Sequence, residues 1–179
     1  MNMKFYLKIS SILVAAAFLS TLPVEAQTFR QTKQGITGTT QGMDIEIQFV
    51  SPEIVRVVKA PEGRSFTKKS LSVVKSPESM SVTTEKKGET VSLKSNAVRV
   101  DFNVGTGRIS FFDKQGKALF TEKDYGAQFT PFNDAGNQTF SVRQAFLLDK
   151  DEAIYGLGQQ QVDDLNQRNH KHFMRQRAL

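Results

Sequence analysis

The sequence contains no cysteine and no tryptophan. Without cysteine the chain cannot form a disulfide, a thiolate metal site or a cysteine nucleophile. Apolar residues make up 39% and charged residues 23% of the chain, which are ordinary values for a globular protein. The 179 residues correspond to about one domain. We therefore expect a single folded domain that is stabilised by an apolar core rather than by cross-links.

The chain also lacks a long helical period, an internal repeat and a low-complexity linker beyond its N-terminal segment. Short runs of alternating apolar and polar residues replace them, most clearly at Ile45–Phe49 and Val98–Val104. This period of two is typical of half-buried strands. About ten to twelve such strands, separated by turn residues every 8–12 positions, predict an all-β fold, an antiparallel β-sandwich.

Individual strands are predicted with different patterns. Ile54–Val58 is almost continuously apolar, which favours a central position in its sheet. One irregular edge strand is expected within Thr28–Gln41, and an irregular segment over Tyr125–Gly136. The apolar residues of the strand predicted to end near Leu148 do not keep to a single alternating phase. A bulge near Gln144 would bring them onto one face of the sheet. Ala153–Tyr155 is expected to form a short apolar strand.

The N-terminus resembles a secretory signal peptide. Lys4 and Lys8 precede a mostly apolar stretch, Ile9–Leu22, and Val24–Ala26 ends in a small residue suited to cleavage. The apolar stretch is too short and too interrupted by serine and threonine for a membrane span. We expect residues 1–26 to be removed and the mature protein to lie in the periplasm or outside a bacterium, with no membrane attachment after cleavage.

The net charge is +6, and loss of Lys4, Lys8 and Glu25 with the signal segment would lower it to +5. The excess is spread along the chain, although Arg168, Lys171, Arg175 and Arg177 lie together without an acidic residue among them. A nucleic-acid-binding protein would show a recognised module and interleaved aromatic residues. Neither is present, so no nucleic-acid partner is predicted and the basic residues are interpreted as a solvated surface.

The most informative segment is Glu152–Arg168. Its apolar start ends at Gly156 and Gly158, where glycine either adopts a positive φ or admits another group close to the backbone. A polar run follows. Such a segment suits a sugar-binding site, and it equally suits a β-bulge followed by an exposed loop. The run contains Gln159, Gln160, Gln161, Asp163, Asp164, Asn166 and Gln167.

Tyr155-Gly156-Leu157-Gly158-Gln159, preceded by Asp151 and Glu152, resembles the N-terminal domain of glycoside hydrolase family 31. Many members have glutamate where this chain has Gln159. The glutamine-rich version, with Leu165-Asn166-Gln167-Arg168 after it, resembles the bacterial α-xylosidase branch. The resemblance covers roughly Met43–Arg168 and is sharp only at its end.

This resemblance implies a galactose mutarotase-like β-sandwich, residues 27–168, in front of a catalytic (β/α)8 barrel. Residues 169–179 are then an irregular basic tail at a truncated end. The parent would be a retaining α-glycosidase of α-xylosidase or α-glucosidase type. Its aspartate nucleophile and acid/base lie on the barrel, so no catalytic residue is assigned to this chain. The implied partners are an α-glycoside oligosaccharide and the barrel of the full-length enzyme.

The family's N-terminal domain contributes a loop that helps to shape the sugar subsites. Asp163 and Asp164 are adjacent, and adjacent side chains generally point apart, so they are not expected to form the carboxylate pair of a retaining glycosidase. The candidate substrate-binding residues are Gln160, Asp163, Asp164, Asn166 and Arg168.

No metal and no cofactor are predicted. His170 and His172 lack a third ligand nearby. Gly105-x-Gly107 and Gly156-x-Gly158 lack the third glycine and the βαβ context of a dinucleotide site. Two other functions remain open: a free-standing secreted β-sandwich that binds carbohydrate or protein, and a structural, adhesin-like domain.

Overall fold

A computed structural model describes residues 29–64, 73–156 and 165–171. Within these ranges every regular element is an antiparallel strand, and none is a helix. The all-β fold class is therefore confirmed. The strands are β1 (Phe29–Thr32), β2 (Gly35–Thr40), β3 (Met43–Ser51), β4 (Ile54–Pro61), β5 (Thr83–Lys87), β6 (Thr90–Lys94), β7 (Val98–Asn103), β8 (Ile109–Asp113), β9 (Ala118–Asp134) and β10 (Asn137–Leu147).

The strands form two sheets with simple meander topology. The first has the order β1-β2-β3-β4, and the second has the order β10-β9-β8-β7-β6-β5. Within each sheet the strands pair in their order along the chain, because short turns such as Gly105–Gly107 allow only antiparallel pairing. The second sheet is two strands wider than the first, so the two sheets cannot cover each other completely.

The core lies between β2–β3 on one side and β6–β8 on the other. In β3 the alternate side chains of Met43, Ile45, Ile47 and Phe49 are at most 3% exposed, while the residues between them are partly exposed. Burial of one such side chain contributes roughly 1.5–3 kcal/mol. The opposite sheet supplies Val91, Leu93, Val100, Phe102 and Ile109.

β4 is an edge strand, so its predicted central position is wrong. Its pairing to β3 places Val55 opposite Phe49, and Val57 opposite Ile47. Val55 and Val57 therefore lie on the same face as the core residues of β3, although both remain partly exposed. The apolar composition of β4 is real, but the described residues provide no strand on its outer side.

Three other predictions need correction. The segment Thr28–Gln41 contains two strands, β1 and β2, rather than one. Tyr125–Gly136, expected to be irregular, lies mostly within the long strand β9. Ala153–Tyr155 forms no strand, since its backbone hydrogen bonds go to a neighbouring irregular segment rather than to a sheet.

The bulge expected near Gln144 is confirmed, but the extra residues lie on the partner strand. Gln144 pairs with Ala127 and Phe146 pairs with Glu122, so residues 123–126 of β9 face a single position of β10. Gly126 has φ of 74° there, and a Cβ atom at Gly126 would overlap the Glu122 carboxylate. Glycine is therefore required for this bulge to close over Glu122.

A buried ion pair joins the two sheets. Lys59 of β4 places its Nζ 2.6 Å from Oε2 of Glu122 on β9, and the two side chains are only 5% and 6% exposed. Lys59 also donates to the carbonyl of Gly107 at 2.9 Å. Glu122 also accepts hydrogen bonds from the Ile109 backbone N–H at 2.8 Å and from Gln144 Nε2 at 2.9 Å. Both charges therefore have the several partners that burial demands.

Burial lowers the pKa of Lys59, because the charged ammonium loses its hydration. The hydrogen bond and the attraction to Glu122 oppose this effect without reversing it. The ammonium therefore depends on Glu122 more than a solvated lysine would. Removal of either partner alone leaves a charge in a poorly solvated position.

We predict that Lys59→Met lowers the free energy of unfolding by about 3–5 kcal/mol, because the Glu122 carboxylate loses its counter-charge while it stays buried. The double variant Lys59→Met/Glu122→Gln should lose much less than the sum of the two single changes. Urea denaturation of all four proteins measures both quantities.

Lys75→Met is the matched control, because its partner Glu78 lies 2.6 Å away but the two side chains are 49% and 46% exposed. An exposed pair of this kind contributes about 0–1 kcal/mol. A loss in Lys59→Met no larger than in Lys75→Met would show that the buried pair does not hold the sheets together.

Candidate functional site

The candidate site lies just after β10, where two irregular segments run side by side. The backbone N–H of Gln167 donates to the carbonyl of Ile154 at 2.7 Å. In return, the N–H of Ile154 donates to Oδ1 of Asn166 at 3.1 Å. The Asn166 side chain thus accepts the hydrogen bond that a backbone carbonyl would accept in a regular strand pair.

Asn166 also shapes its own turn. Its Oδ1 accepts a second hydrogen bond, from the backbone N–H of Arg168 at 3.1 Å. A side-chain oxygen bonded to the N–H two residues later is the Asx-turn geometry that asparagine favours. Asn166 therefore fixes the path of residues 165–168 and their position against Ile154.

Arg168, like Asn166, joins residues 165–168 to the segment that follows β10. Its Nη1 donates to the backbone carbonyls of Asp149 and Glu152, at 2.7 and 2.6 Å. The turn that carries these carbonyls is itself closed by a hydrogen bond from the N–H of Asp149 to the Glu152 carboxylate, at 3.1 Å. The guanidinium is thus bonded to main-chain oxygens that follow β10.

Of the five residues predicted from the sequence to bind substrate, the structure describes two. Asn166 and Arg168 are brought together by the Asx turn, and both bond to backbone groups of residues 149–154. Gln160, Asp163 and Asp164 lie outside the described residues. Gln167, which was not selected as a candidate, is the buried member of the segment, with 5% exposure.

The glycine pair can be assessed at Gly156 alone, because Gly158 lies outside the described residues. Gly156 has φ of 99°, and a Cβ there would meet no atom within 4 Å. The positive φ therefore explains the glycine, whereas a close approach of another described group does not.

Sequence reasoning missed Tyr155, which it assigned to a buried strand. The side chain is 70% exposed at the point where the polar run begins. An exposed aromatic ring with a hydroxyl group offers an apolar face and a polar tip, which is the combination that binding surfaces favour. The position of Tyr155 directly before a glycine was the feature of the sequence that could have identified it as exposed.

Two of the concavities formed by the described residues lie away from this segment. One, of about 640 Å³, lies on the outer face of the four-stranded sheet and includes Thr37, Thr39, Asp44 and Glu46. The other is an apolar groove of about 470 Å³ between β4 and strands β8–β10. Neither is lined by Asn166 or Arg168.

In the part of the chain that the structure describes, no group of three or more histidine, cysteine, aspartate or glutamate side chains is arranged to hold a metal ion. The same residues include no helix that is long and apolar enough to cross a membrane.

The sequence pattern of the family described as "Glycosyl hydrolase 31 N-terminal galactose mutarotase-like domain" matches residues 44–177. An α-xylosidase of Saccharolobus solfataricus is 30% identical over 118 residues, which are 65% of this chain and 16% of that protein. The chain therefore spans about a sixth of the length of this relative.

Solved structures give the same likeness. The GH31 α-xylosidase of Xanthomonas citri superimposes with a TM-score of 0.67 and 32% identity, over 77% of this chain and 15% of that chain. A GH31 α-xylosidase from a soil metagenome, solved with xylose, gives a TM-score of 0.60 at 23% identity, over 78% of this chain and 23% of that one. The second likeness concerns the fold alone.

We predict that Arg168→Ala loosens the segment after β10 without unfolding the sandwich. A hydrogen bond to a charged group contributes about 1.5–3 kcal/mol, so the amides of Ile154 and Gln167 should exchange with solvent at least about tenfold faster. Hydrogen-exchange mass spectrometry or NMR measures these rates, and the melting temperature should change little.

Lys171→Ala removes the same charge from an exposed neighbour and serves as the control. Equal acceleration in Lys171→Ala, or none in Arg168→Ala, would show that Arg168 does not anchor the segment.

Proposed function

The chain belongs to the glycosyl hydrolase 31 N-terminal galactose mutarotase-like domain family, since the family pattern covers residues 44–177, and from this membership we propose its function. We propose that it is the N-terminal β-sandwich of a secreted retaining α-glycosidase of α-xylosidase or α-glucosidase type. The observation that carries the proposal is the family match together with the two α-xylosidases that are at least 30% identical.

The role of this domain is to shape the substrate site rather than to carry out hydrolysis. Retaining hydrolysis needs two carboxyl groups about 5–5.5 Å apart on either side of the scissile bond. No such pair is assigned to this chain, and its buried carboxylate, Glu122, is paired with Lys59 inside the fold. In this proposal the catalytic groups belong to a barrel and the α-glycoside binds between barrel and sandwich.

Gln160, Asp163, Asp164, Asn166 and Arg168 are the proposed sugar contacts, and we add Tyr155 because its side chain is exposed beside them in the sequence. Asn166 and Arg168 hold the backbone that leads into and out of residues 157–164. In this proposal Asn166 and Arg168 therefore also position the segment that carries Gln160, Asp163 and Asp164. The exposed ring of Tyr155 would contact the apolar face of a sugar.

We predict that the purified 179-residue chain does not hydrolyse aryl α-xylosides or aryl α-glucosides above the background rate, because the proposal assigns the catalytic carboxylate pair to the barrel. Release of the aryl alcohol, followed by absorbance, measures the rate. A Glu122→Gln preparation is the control for a contaminating glycosidase, whose activity the substitution would leave unchanged. Turnover by the chain itself would refute an accessory role.

Calorimetric titration with α-xylosyl and α-glucosyl oligosaccharides separates the accessory role from the alternative, a free-standing carbohydrate-binding module. The proposed role requires a barrel to complete the site, so the isolated chain should bind these sugars only weakly. Tight, saturable binding that is lost in Tyr155→Ala would favour the free-standing module.

Secretion is the second part of the proposal and rests on the basic, apolar and small-residue order of residues 1–26. Expressed in a Gram-negative bacterium, the chain should appear in the periplasm with Gln27 as its first residue. Mass spectrometry of the N-terminus measures this, and a variant with Leu13→Arg should remain uncleaved in the cytoplasm. Cytoplasmic protein that retains Met1 in the unaltered chain would contradict secretion.

A further inference from the structure

A further concavity lies at one end of the sandwich, where the turn between β2 and β3 approaches β9. It has a volume of about 360 Å³ and lies between the turn residues Gln41–Met43 and the part of β9 that runs from Tyr125 to Thr130. Pockets of about 300–1,000 Å³ have the size that small ligands occupy. We call it the β2–β9 pocket. Its described lining includes no residue of the segment after β10.

Left-handed backbone shapes both walls of the pocket. Gln41 and Gly42 form the two-residue turn between β2 and β3, with φ of 53° and 67°. Asp124, directly before Tyr125 on the bulge of β9, has φ of 54°. Residues other than glycine are uncommon at such φ values and collect at functional sites. Two-residue hairpin turns favour asparagine, aspartate or glycine, so a glutamine at position 41 indicates a use for its longer side chain.

Two glutamine side chains give the pocket an acceptor and a donor. Nε2 of Gln41 donates to the carbonyl of Gly105 at 2.6 Å, which fixes the side chain and leaves Oε1 as an acceptor. Oε1 of Gln128 accepts a hydrogen bond from Nη1 of Arg143 at 3.4 Å, which leaves Nε2 as a donor. The hydroxyl group of Thr130, also in the lining, can donate and accept. The polar groups are therefore complementary to hydroxyl groups of a ligand.

Aromatic surface lies beside these polar groups. The side chain of Tyr125 is 40% exposed. The backbone carbonyl of Tyr125 accepts a hydrogen bond from Nζ of Lys59 at 3.3 Å, which ties this part of the bulge to the buried ion pair. Phe129 packs edge-on against Phe140, with the ring centroids 6.4 Å apart. The fold therefore holds the walls of the pocket in place, which lowers the cost of ordering them around a ligand.

None of the described residues that line the pocket is charged. The bulge carries Lys123 and Asp124, but neither belongs to the lining. An uncharged lining favours an uncharged ligand, because an ion would lose hydration without gaining a counter-charge. Amide, hydroxyl and aromatic groups together suit a molecule that has hydroxyl groups around its edge and C–H groups on its face. A neutral sugar ring has this chemistry.

We propose that the β2–β9 pocket binds one neutral pyranose ring. The ring of Tyr125 lies against the C–H face of the sugar, and Gln41, Gln128 and Thr130 bond to its hydroxyl groups. The site is separate from the segment after β10 and takes no part in bond cleavage. The inference rests on the pocket itself and does not depend on the proposed glycosidase function.

NMR titration of the isotope-labelled full chain with D-xylose and with D-glucose tests the proposal. We expect saturable shifts of the side-chain amides of Gln41 and Gln128 and of the backbone amides of Gly42 and Thr130. The dissociation constant should be on the order of millimolar, because a single ring makes few contacts. Glycerol has hydroxyl groups without a ring face, and D-glucuronate adds a charge, so both should bind at least about tenfold more weakly.

Tyr125→Ala should weaken the binding of both sugars at least about tenfold, because the ring supplies the apolar face. Phe132→Ala is the matched control, since Phe132 is 51% exposed on the same strand and does not line the pocket; its dissociation constants should be unchanged. Thr130→Val keeps the shape of the side chain without its hydroxyl and should weaken binding about two- to tenfold. Thr130→Val decides the question if Tyr125→Ala does not fold.

Three results would overturn the inference. Shifts that do not saturate, or equal shifts with glycerol, would show that the pocket is not a sugar site. Tighter binding of glucuronate would show that charge selects the ligand. Binding that is lost in Tyr155→Ala but kept in Tyr125→Ala and Thr130→Val would belong to the segment after β10, which would leave the proposed function intact and remove this one. Binding lost in Tyr125→Ala and kept in Phe132→Ala supports the pocket, whatever the activity of the longer protein.

Discussion

The contact between Lys59 and Glu122 is the constraint on which the arrangement of the two sheets depends. It joins β4 to β9 at the place where the apolar core ends. Two desolvated charges are stable only when their geometry and additional hydrogen bonds are favourable. Those bonds come from the turn at Gly107 and from β8, so the position of several chain segments is fixed by one buried pair. The bulge at Gly126 follows from the same requirement, because the strand must clear the Glu122 carboxylate.

The ion pair also lies at the boundary between the fully buried part of the core and a part that is open to solvent. On one side of it the sheets are packed through Ile47 and Phe49, which have no exposed surface. On the other side Phe120 and Phe146 are 44% and 40% exposed. The edge of β4 and the segment after β10 are thus two separate surfaces with different chemistry, one apolar and one polar.

Alternation was a reliable guide where one face of a strand is buried and the other is solvated, as in β3 and β7. The position of β4 was predicted from its apolar composition, and that prediction failed. Composition shows how apolar a strand is, but it does not show whether a second neighbouring strand is present. The prediction for Tyr125–Gly136 failed because turn-forming residues at a bulge and at the end of a long strand resemble those of a loop. Ala153–Tyr155 was misassigned because three apolar residues fit a strand even when their partners are an asparagine side chain and an irregular backbone.

The site was only partly accessible to the same reasoning. Asn166 and Arg168 were selected for their hydrogen-bonding capacity, which is correct as chemistry. The sequence could not show that both side chains would form hydrogen bonds with backbone carbonyl and amide groups of residues 149–154. The role of Lys59 could have been predicted, because its side chain alternates with the same period as those of Val55 and Val57 and therefore points inward. A buried cation at such a position requires an anion on the facing sheet.

Because Arg168 recognises two carbonyl oxygens, its attachment is insensitive to which amino acids supply them. The side chain of Asp149 can therefore change without loss of these bonds, whereas Arg168 itself supplies both of them from the single nitrogen Nη1. Substitutions should therefore be tolerated at Asp149 more readily than at Arg168, whereas Glu152 remains constrained because its carboxylate closes the turn.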